Sequence, residues 1–159
     1  MTIRRKDRER DRAFALAVVD ACEWAVLSMV DSQQQPYGVP VTIVRDGDFV
    51  YFHTALRGRK IDCLRQCPQV WVSCVGYTRR FKHEFTTAYD AAMIGGTAEE
   101  VTEDAEKIRA LRLLCERHTP THMGAFDEEI AHSLARTGLW KIHIDTITGK
   151  QKPDTEADA

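Results

Sequence analysis

No stretch of this sequence stays apolar for the roughly 20 residues that a membrane-spanning helix requires. The N-terminus is charged with no apolar segment behind it, so a secretory leader is not expected either. Positive charge is not in surplus: 22 Lys and Arg face 24 Asp and Glu, a formal net charge of −2. Nothing therefore offsets phosphates along a duplex, and a nucleic-acid role is not expected. The basic run from Arg4 to Arg12 is interleaved with Asp7, Glu9 and Asp11 and reads as a solvated, self-paired lead-in. There is no G-x-G-x-x-G and no strand–helix–strand alternation, which argues against a Rossmann fold. No P-loop, no Ser-His-Asp order and no paired carboxylates support a kinase or hydrolase. Five cysteines, an odd number spread over helical and strand-like segments, fit reduced thiols in a cytoplasm.

What is present is one domain's worth of alternating pattern in 159 residues: residues 1–150 as a single domain and a polar tail, 151–159, expected to fray. Phe14, Ala17, Val18 and Ala21 repeat at helical spacing and predict a helix over 11–22. Strands are predicted at 24–30, 39–45, 49–54, 70–77 and 139–147, with one long bent strand or two over 85–101. Gly95-Gly96 within the last of these predicts a bulge or close backbone approach. Residues 78–83 read as a loop. Helices are predicted at 59–65, ended by Pro68, at 103–118, capped by Thr102, and at 126–135. In the 103–118 helix, Ile108, Leu111, Leu114 and Cys115 form the apolar face, leaving Glu106 and Arg109 for solvent. Five or six strands joined mostly by hairpins, with helices inserted, predict a β-centred α+β barrel.

The chain's chemistry gathers between Val39 and Lys60, VPVTIVRDGDFVYFHTALRGRK. Val39 to Arg45 reads as a strand, Asp46-Gly47 as a type I′ or similar hairpin turn, and Phe49 to Thr54 as the return strand. Arg57-Gly58-Arg59-Lys60 then sits at a strand-to-helix junction. Glycine lets a ligand approach the backbone, N–H groups at a helix start point outward, and the cations supply charge, so this is an anion-site candidate. An ordinary basic loop is the plain alternative. His53 stands at the end of an apolar aromatic strand, where a titratable ring is unusual; it reads either as a buried histidine bonded to a carbonyl or as a site residue. Pro40 within a strand marks an edge whose backbone is free to bond something else.

The segment YGVPVTIVRDGDFVYFHTALRGRKIDCLRQCPQV resembles the pyridoxamine 5′-phosphate oxidase-like family of FMN-binding split barrels. The opening RRKDRER, the strand YFH followed by GRK, and the closing ITGK are most similar to its Nim, or 5-nitroimidazole-resistance, branch, with a likeness running from Ile3 to Lys150. The resemblance implies a split β-barrel with peripheral helices, and a homodimer that binds FMN in a cleft shared between subunits. It implies that Arg57, Arg59, Lys60 and Thr54 hold the FMN phosphate, that Val39, Pro40, Val41 and Thr42 face the flavin ring, and that His53 lies beside flavin and substrate. The implied activity is reduction of a small organic acceptor, including nitro compounds; the alternative is a flavin- or haem-binding protein of the same fold without turnover. One position departs from the family pattern: Ala91 in Tyr89-Asp90-Ala91-Ala92 stands where relatives carry serine. Loss of that hydroxyl removes one hydrogen bond, about 0.5–1.5 kcal/mol, if it contacts the cofactor. Trp140 reads as a core tryptophan or a stacking partner at the cleft.

Cys115-x2-His118-x3-His122, with His132, has spacing compatible with zinc, but Cys115 falls on the apolar helix face and no second cysteine pair accompanies it, so no metal is expected. Cys63-x3-Cys67 lies on one helical face and reads as packing.

Overall fold

Hydrophobic alternation along the longer strands decides the architecture. The computed structural model describes residues 3–155. The strands are β1 (Glu9–Arg10), β2 (Ala25–Val30), β3 (Pro36–Val41), β4 (Val44–Asp46), β5 (Phe49–Ala55), β6 (Gln69–Arg80), β7 (Thr87–Glu100) and β8 (Thr137–Lys152). The helices are α1 (Arg12–Ala21), α2 (Arg59–Gln66), α3 (Asp104–His118) and α4 (Phe126–Ser133), with short 3-10 turns at Lys6–Arg8, Pro120–Ala125 and Leu134–Arg136. All strand pairs are antiparallel, in the order β3-β2-β6-β7-β8-β5-β4, with β1 on the far end of β8. The sheet wraps around a core but β3 and β4 are not joined, which makes it a split barrel. No helix among the described residues is long and apolar enough to cross a membrane.

Two hydrophobic clusters lie on opposite faces of the same strands. Inside the barrel, Val50 and Phe52 of β5 and Trp140, Ile142 and Ile144 of β8 pack with Leu27, Ile94, Val18, Ile61 and Leu64. Outside it, Tyr51 and Leu139 pack with Val44, Leu111, Leu114 and Phe126 beneath α3 and α4. Alternation sends even-numbered β5 side chains inward and odd-numbered ones toward α3. Burial on both faces explains why this strand reads as the continuous run FVYF rather than as an alternating one.

The structure departs from the sequence expectations at several points. The predicted 39–45 strand is divided: Val39, Pro40 and Val41 end β3, which pairs with β2, whereas only Val44–Asp46 forms the hairpin with β5. The break falls at Thr42-Ile43, because the Ile43 carbonyl leaves the ladder to accept hydrogen bonds from Arg117 (3.0 Å) and His118 (2.8 Å). The hairpin loop is Gly47-Asp48, one residue later than expected, with positive φ only at Gly47 (60°), the pattern of a II′ turn. Residues 78–80, expected in a loop, extend β6 to Arg80, and the loop is confined to 81–86. The cap of α3 is Glu103, not Thr102, and no side chain bonds there.

Glu106 is partly withdrawn from solvent, whereas Arg109 stays exposed as expected while still reaching the sheet. Tyr51 donates to Glu106 (2.9 Å), Lys141 donates to the same carboxylate (3.1 Å), and Arg109 donates to the Tyr51 hydroxyl (3.2 Å) while pairing with Asp46. These contacts fasten α3 to the sheet. At the C-terminus, Gln151 and Lys152 belong to β8 rather than to a frayed tail, and Asp154 pairs with Arg79; residues 156–159 lie outside the described range. The expected irregularity at Gly95-Gly96 is present as a register shift opposite Thr146 and Ile144.

Candidate functional site

The residues singled out in Val39 to Lys60 fall into two neighbouring places. At the first, β5 ends and the chain turns through Gly58 into α2. Gly58 has φ +126°, a conformation that L side chains rarely adopt, and open space lies where a Cβ would project. No side chain caps the helix. Its first intrahelical bonds run from Ile61 (2.8 Å) and Asp62 (3.1 Å) to the Gly58 carbonyl, so the N–H groups of Arg59 and Lys60 precede any helical acceptor.

Lys60 is half-buried at this junction, with its ammonium 5.5 Å from the centre of the Phe52 ring. It makes no ion pair among the described residues, and burial pushes its pKa below the usual lysine value. Arg59 is held by Asp31 (3.0 Å) and lies over the Tyr37 ring at 4.6 Å, leaving most of its five N–H donors unspent. Arg57 is exposed and Thr54 half-buried. A partly desolvated cation without a carboxylate, beside outward N–H groups and a second oriented guanidinium, fits an anion such as phosphate.

The strand expected to meet a ring is an edge, as its proline indicated: β3 pairs only with β2. The Val41 side chain is buried and Val39 packs against the same core, while Pro40 and Thr42 are exposed. What β3 offers outward is therefore backbone along its free edge, together with the Thr42 hydroxyl.

The second place is a cleft of about 320 Å³ between the outer face of β5 and the α3–α4 layer. Thr42 and His53 form its sheet side; Leu111, Leu114, Cys115 and His118 line it from α3. His122 and Met123 come from the following 3-10 turn, and Phe126, Glu129 and Ile130 from α4. His53 shares the face of Tyr51 and so points toward α3. Burial pushes its pKa below the usual histidine value, with the neighbouring Lys60 and His118 adding to the effect, although the residue is partly open to solvent. The imidazole is therefore neutral near pH 7. Shifts of this kind in a cleft mark candidate sites.

The α3–α4 wall, including His118 as a neighbour of His53, was not legible as part of this site. The C-x2-H-x3-H spacing drew attention to these residues, but for zinc. Cys115, His118 and His122 do share the cleft, yet no group of three His, Cys, Asp or Glu among the described residues could hold a metal ion, and exposed His132 does not line it. Arg117 was missed altogether. Its guanidinium donates to the carbonyls of Ile43 (3.0 Å), Val19 (3.1 Å) and Cys22 (2.5 Å), tying α3 to α1 and to the β3–β4 break. Trp140 lies in the barrel core opposite Phe52, and its buried indole N–H has no acceptor among the described residues. Ala91 sits within β7 between Val75 and Lys150, away from the cleft lining. Cys63 and Cys67 are free thiols.

The family model for pyridoxamine 5′-phosphate oxidase matches residues 11–151. The chain belongs to the pyridoxamine 5′-phosphate oxidase family. Solved structures share its fold. A protein of Bacteroides thetaiotaomicron described as a candidate 5-nitroimidazole antibiotic resistance protein is 20% identical, with a TM-score of 0.73 over 89% of this chain and 84% of that one. A flavocytochrome from Azotobacter vinelandii is 21% identical, with a TM-score of 0.77 over 99% and 77%. The FAD and haem binding protein of Mycobacterium smegmatis is 22% identical, with a TM-score of 0.77 over 96% and 77%. Among curated proteins, none matches the sequence.

Proposed function

We propose that this protein is an FMN-dependent oxidoreductase that reduces a small organic acceptor, nitroaromatic compounds included, and works as a cytoplasmic homodimer. The observation that carries the reading is Lys60: a half-buried ammonium without a carboxylate partner among the described residues, next to the uncapped start of α2 and an open Gly58. Such a cation costs free energy in the free protein and is compensated only when an anion arrives. Lys60 and Arg59 would grip the terminal phosphate, with the α2 N–H groups; Arg57 would add charge and Thr54 a hydroxyl donor. The free edge of β3 at Val39, Pro40 and Val41, with Thr42 just beyond it, would meet the ring with backbone groups. When bound, the flavin supplies the redox step itself. His53, neutral near pH 7, would orient the acceptor and exchange a proton with it.

Support for a dimer comes from the β2–β6 side of the barrel, where Trp24, Trp71 and Val75 are 53%, 40% and 47% exposed. Apolar side chains of this size left in solvent mark a surface that another molecule covers.

A second reading is that the protein holds flavin or haem without turnover. It is favoured by the three imidazoles, His53, His118 and His122, lining one apolar cleft. Absorbance spectra of the purified protein, before and after dialysis with FMN, FAD or haem, decide between them. Retained flavin bands that bleach under NAD(P)H and recover with a nitro acceptor support the oxidoreductase. A haem band with no flavin retained, or flavin without turnover across donors, supports the second reading. In the Arg59→Ala/Lys60→Ala double variant, flavin retention should be lost while the fold persists; unchanged retention would remove the phosphate assignment.

A further inference from the structure

The polar side of the cleft carries hydrogen-bonding capacity that the protein uses only in part. His118 contacts the Ile43 carbonyl through Nε2 at 2.8 Å. A carbonyl can only accept, so Nε2 carries the hydrogen, and in the Nε2–H tautomer Nδ1 is left as an acceptor. His53 and Thr42 make no side-chain hydrogen bond among the described residues, and each can donate and accept. Ser133 and Thr137 differ: they donate to backbone carbonyls of Glu129 (2.8 Å) and Ser133 (2.9 Å) and have no donor left. Beside and across from Thr42, His53 and His118, Leu111, Phe126 and Ile130 give an apolar wall, with the exposed Glu129 next to Ile130. Lys60, whose charge is felt at His53, opposes a cationic ligand on the sheet side, and the Glu129 carboxylate on α4 is exposed to solvent. An anionic head would meet the lone pair of His118 Nδ1 where it needs a donor, and its natural place is the cationic junction instead.

We propose that the cleft binds a small, flat, uncharged molecule whose head both donates and accepts hydrogen bonds, as a carboxamide, lactam or phenol does. The head donates to His118 Nδ1 and accepts from His53 or Thr42, while the body lies against Leu111, Phe126 and Ile130. Its role as electron acceptor rests on the flavin reading; its binding does not.

The test is saturation-transfer NMR with four probes of matched size, benzamide, phenol, benzoate and benzylamine, on the protein with and without added FMN. Benzamide and phenol should bind, with benzoate and benzylamine weaker by about tenfold or more, the ratio expected when charge or a missing donor removes one good hydrogen bond. Ile130→Trp, which fills the cleft from α4, should abolish benzamide binding without altering flavin retention. If that variant fails to fold, Ala125→Leu narrows the cleft from the 3-10 turn and should weaken benzamide in the same way. Absent benzamide signal, benzoate or benzylamine binding as tightly as benzamide, or undiminished binding in the filled cleft would overturn the proposal. Retained flavin without benzamide binding defeats this inference alone; benzamide binding without flavin retention defeats the flavin reading alone.

Discussion

Replacing Lys60 by methionine should make the free protein more stable and the loaded protein harder to form. The lysine stem packs in a half-buried position near Phe52, and methionine keeps most of that apolar contact. The ammonium is the costly part. A buried polar group without a full set of partners costs about 1–3 kcal/mol, against which its placement over the Phe52 ring returns about 0.5–1 kcal/mol. The free protein should therefore gain about 1 kcal/mol in the methionine variant, the difference between those two effects. The loss appears on loading: a hydrogen bond from a charged donor contributes about 1.5–3 kcal/mol, so FMN affinity should fall by about 10- to 150-fold. Urea denaturation of the flavin-free protein gives the first quantity and titration followed by flavin fluorescence the second. The lowered lysine pKa sets the sign with pH. Folded Lys60 binds its proton less tightly than the unfolded chain does, so the burden is full at neutral pH and is relieved as pH rises toward the ordinary lysine value. The wild-type deficit relative to the variant should shrink correspondingly in alkali. A variant that loses stability, or one that binds FMN as tightly as wild type, would refute the assignment of Lys60 as an anion-ready cation.

Three further outcomes follow from particular contacts. Arg117→Met strips three carbonyl acceptors of a charged donor and should cost about 3 kcal/mol, read as a lower urea midpoint at constant slope. Gly96→Ala would place a Cβ 2.2 Å from the His143 carbonyl oxygen and should cost about 3 kcal/mol, since rigid backbone cannot give way. Gly95→Ala should cost less, because its 2.8 Å neighbour is the movable Thr146 hydroxyl; equal costs would contradict the packing argument. His53 has a folded pKa below its unfolded value, so it contributes stability that is present above pH 6.5 and lost as pH falls through the folded pKa. Lys60 of α2, His118 of α3, His122 of the 3-10 turn and Glu129 of α4 are the other titratable groups around it. His53→Gln should therefore lose less stability than wild type between pH 7.5 and pH 5, measured by thermal denaturation.

The sequence by itself determined the elements and their family. Two-residue alternation in β8, helical spacing in α1 and α3, and the G-R-K junction after an aromatic strand are local signals, readable because each depends on neighbours within a few positions. The edge character of β3 was legible through Pro40 for the same reason, and the irregularity of β7 through Gly95-Gly96. Tertiary structure alone decided the rest. The division of 39–45 into β3 and β4 depends on Arg117 and His118 capturing the Ile43 carbonyl from more than 70 positions away. Glu106 turned from solvent because Tyr51 and Lys141 wait on the sheet. The cleft exists only because α3 and α4 settle on the outer face of β5, bringing His118 beside His53. No periodicity in a single chain encodes which faces meet, since that choice is made by burying two separate apolar surfaces against each other.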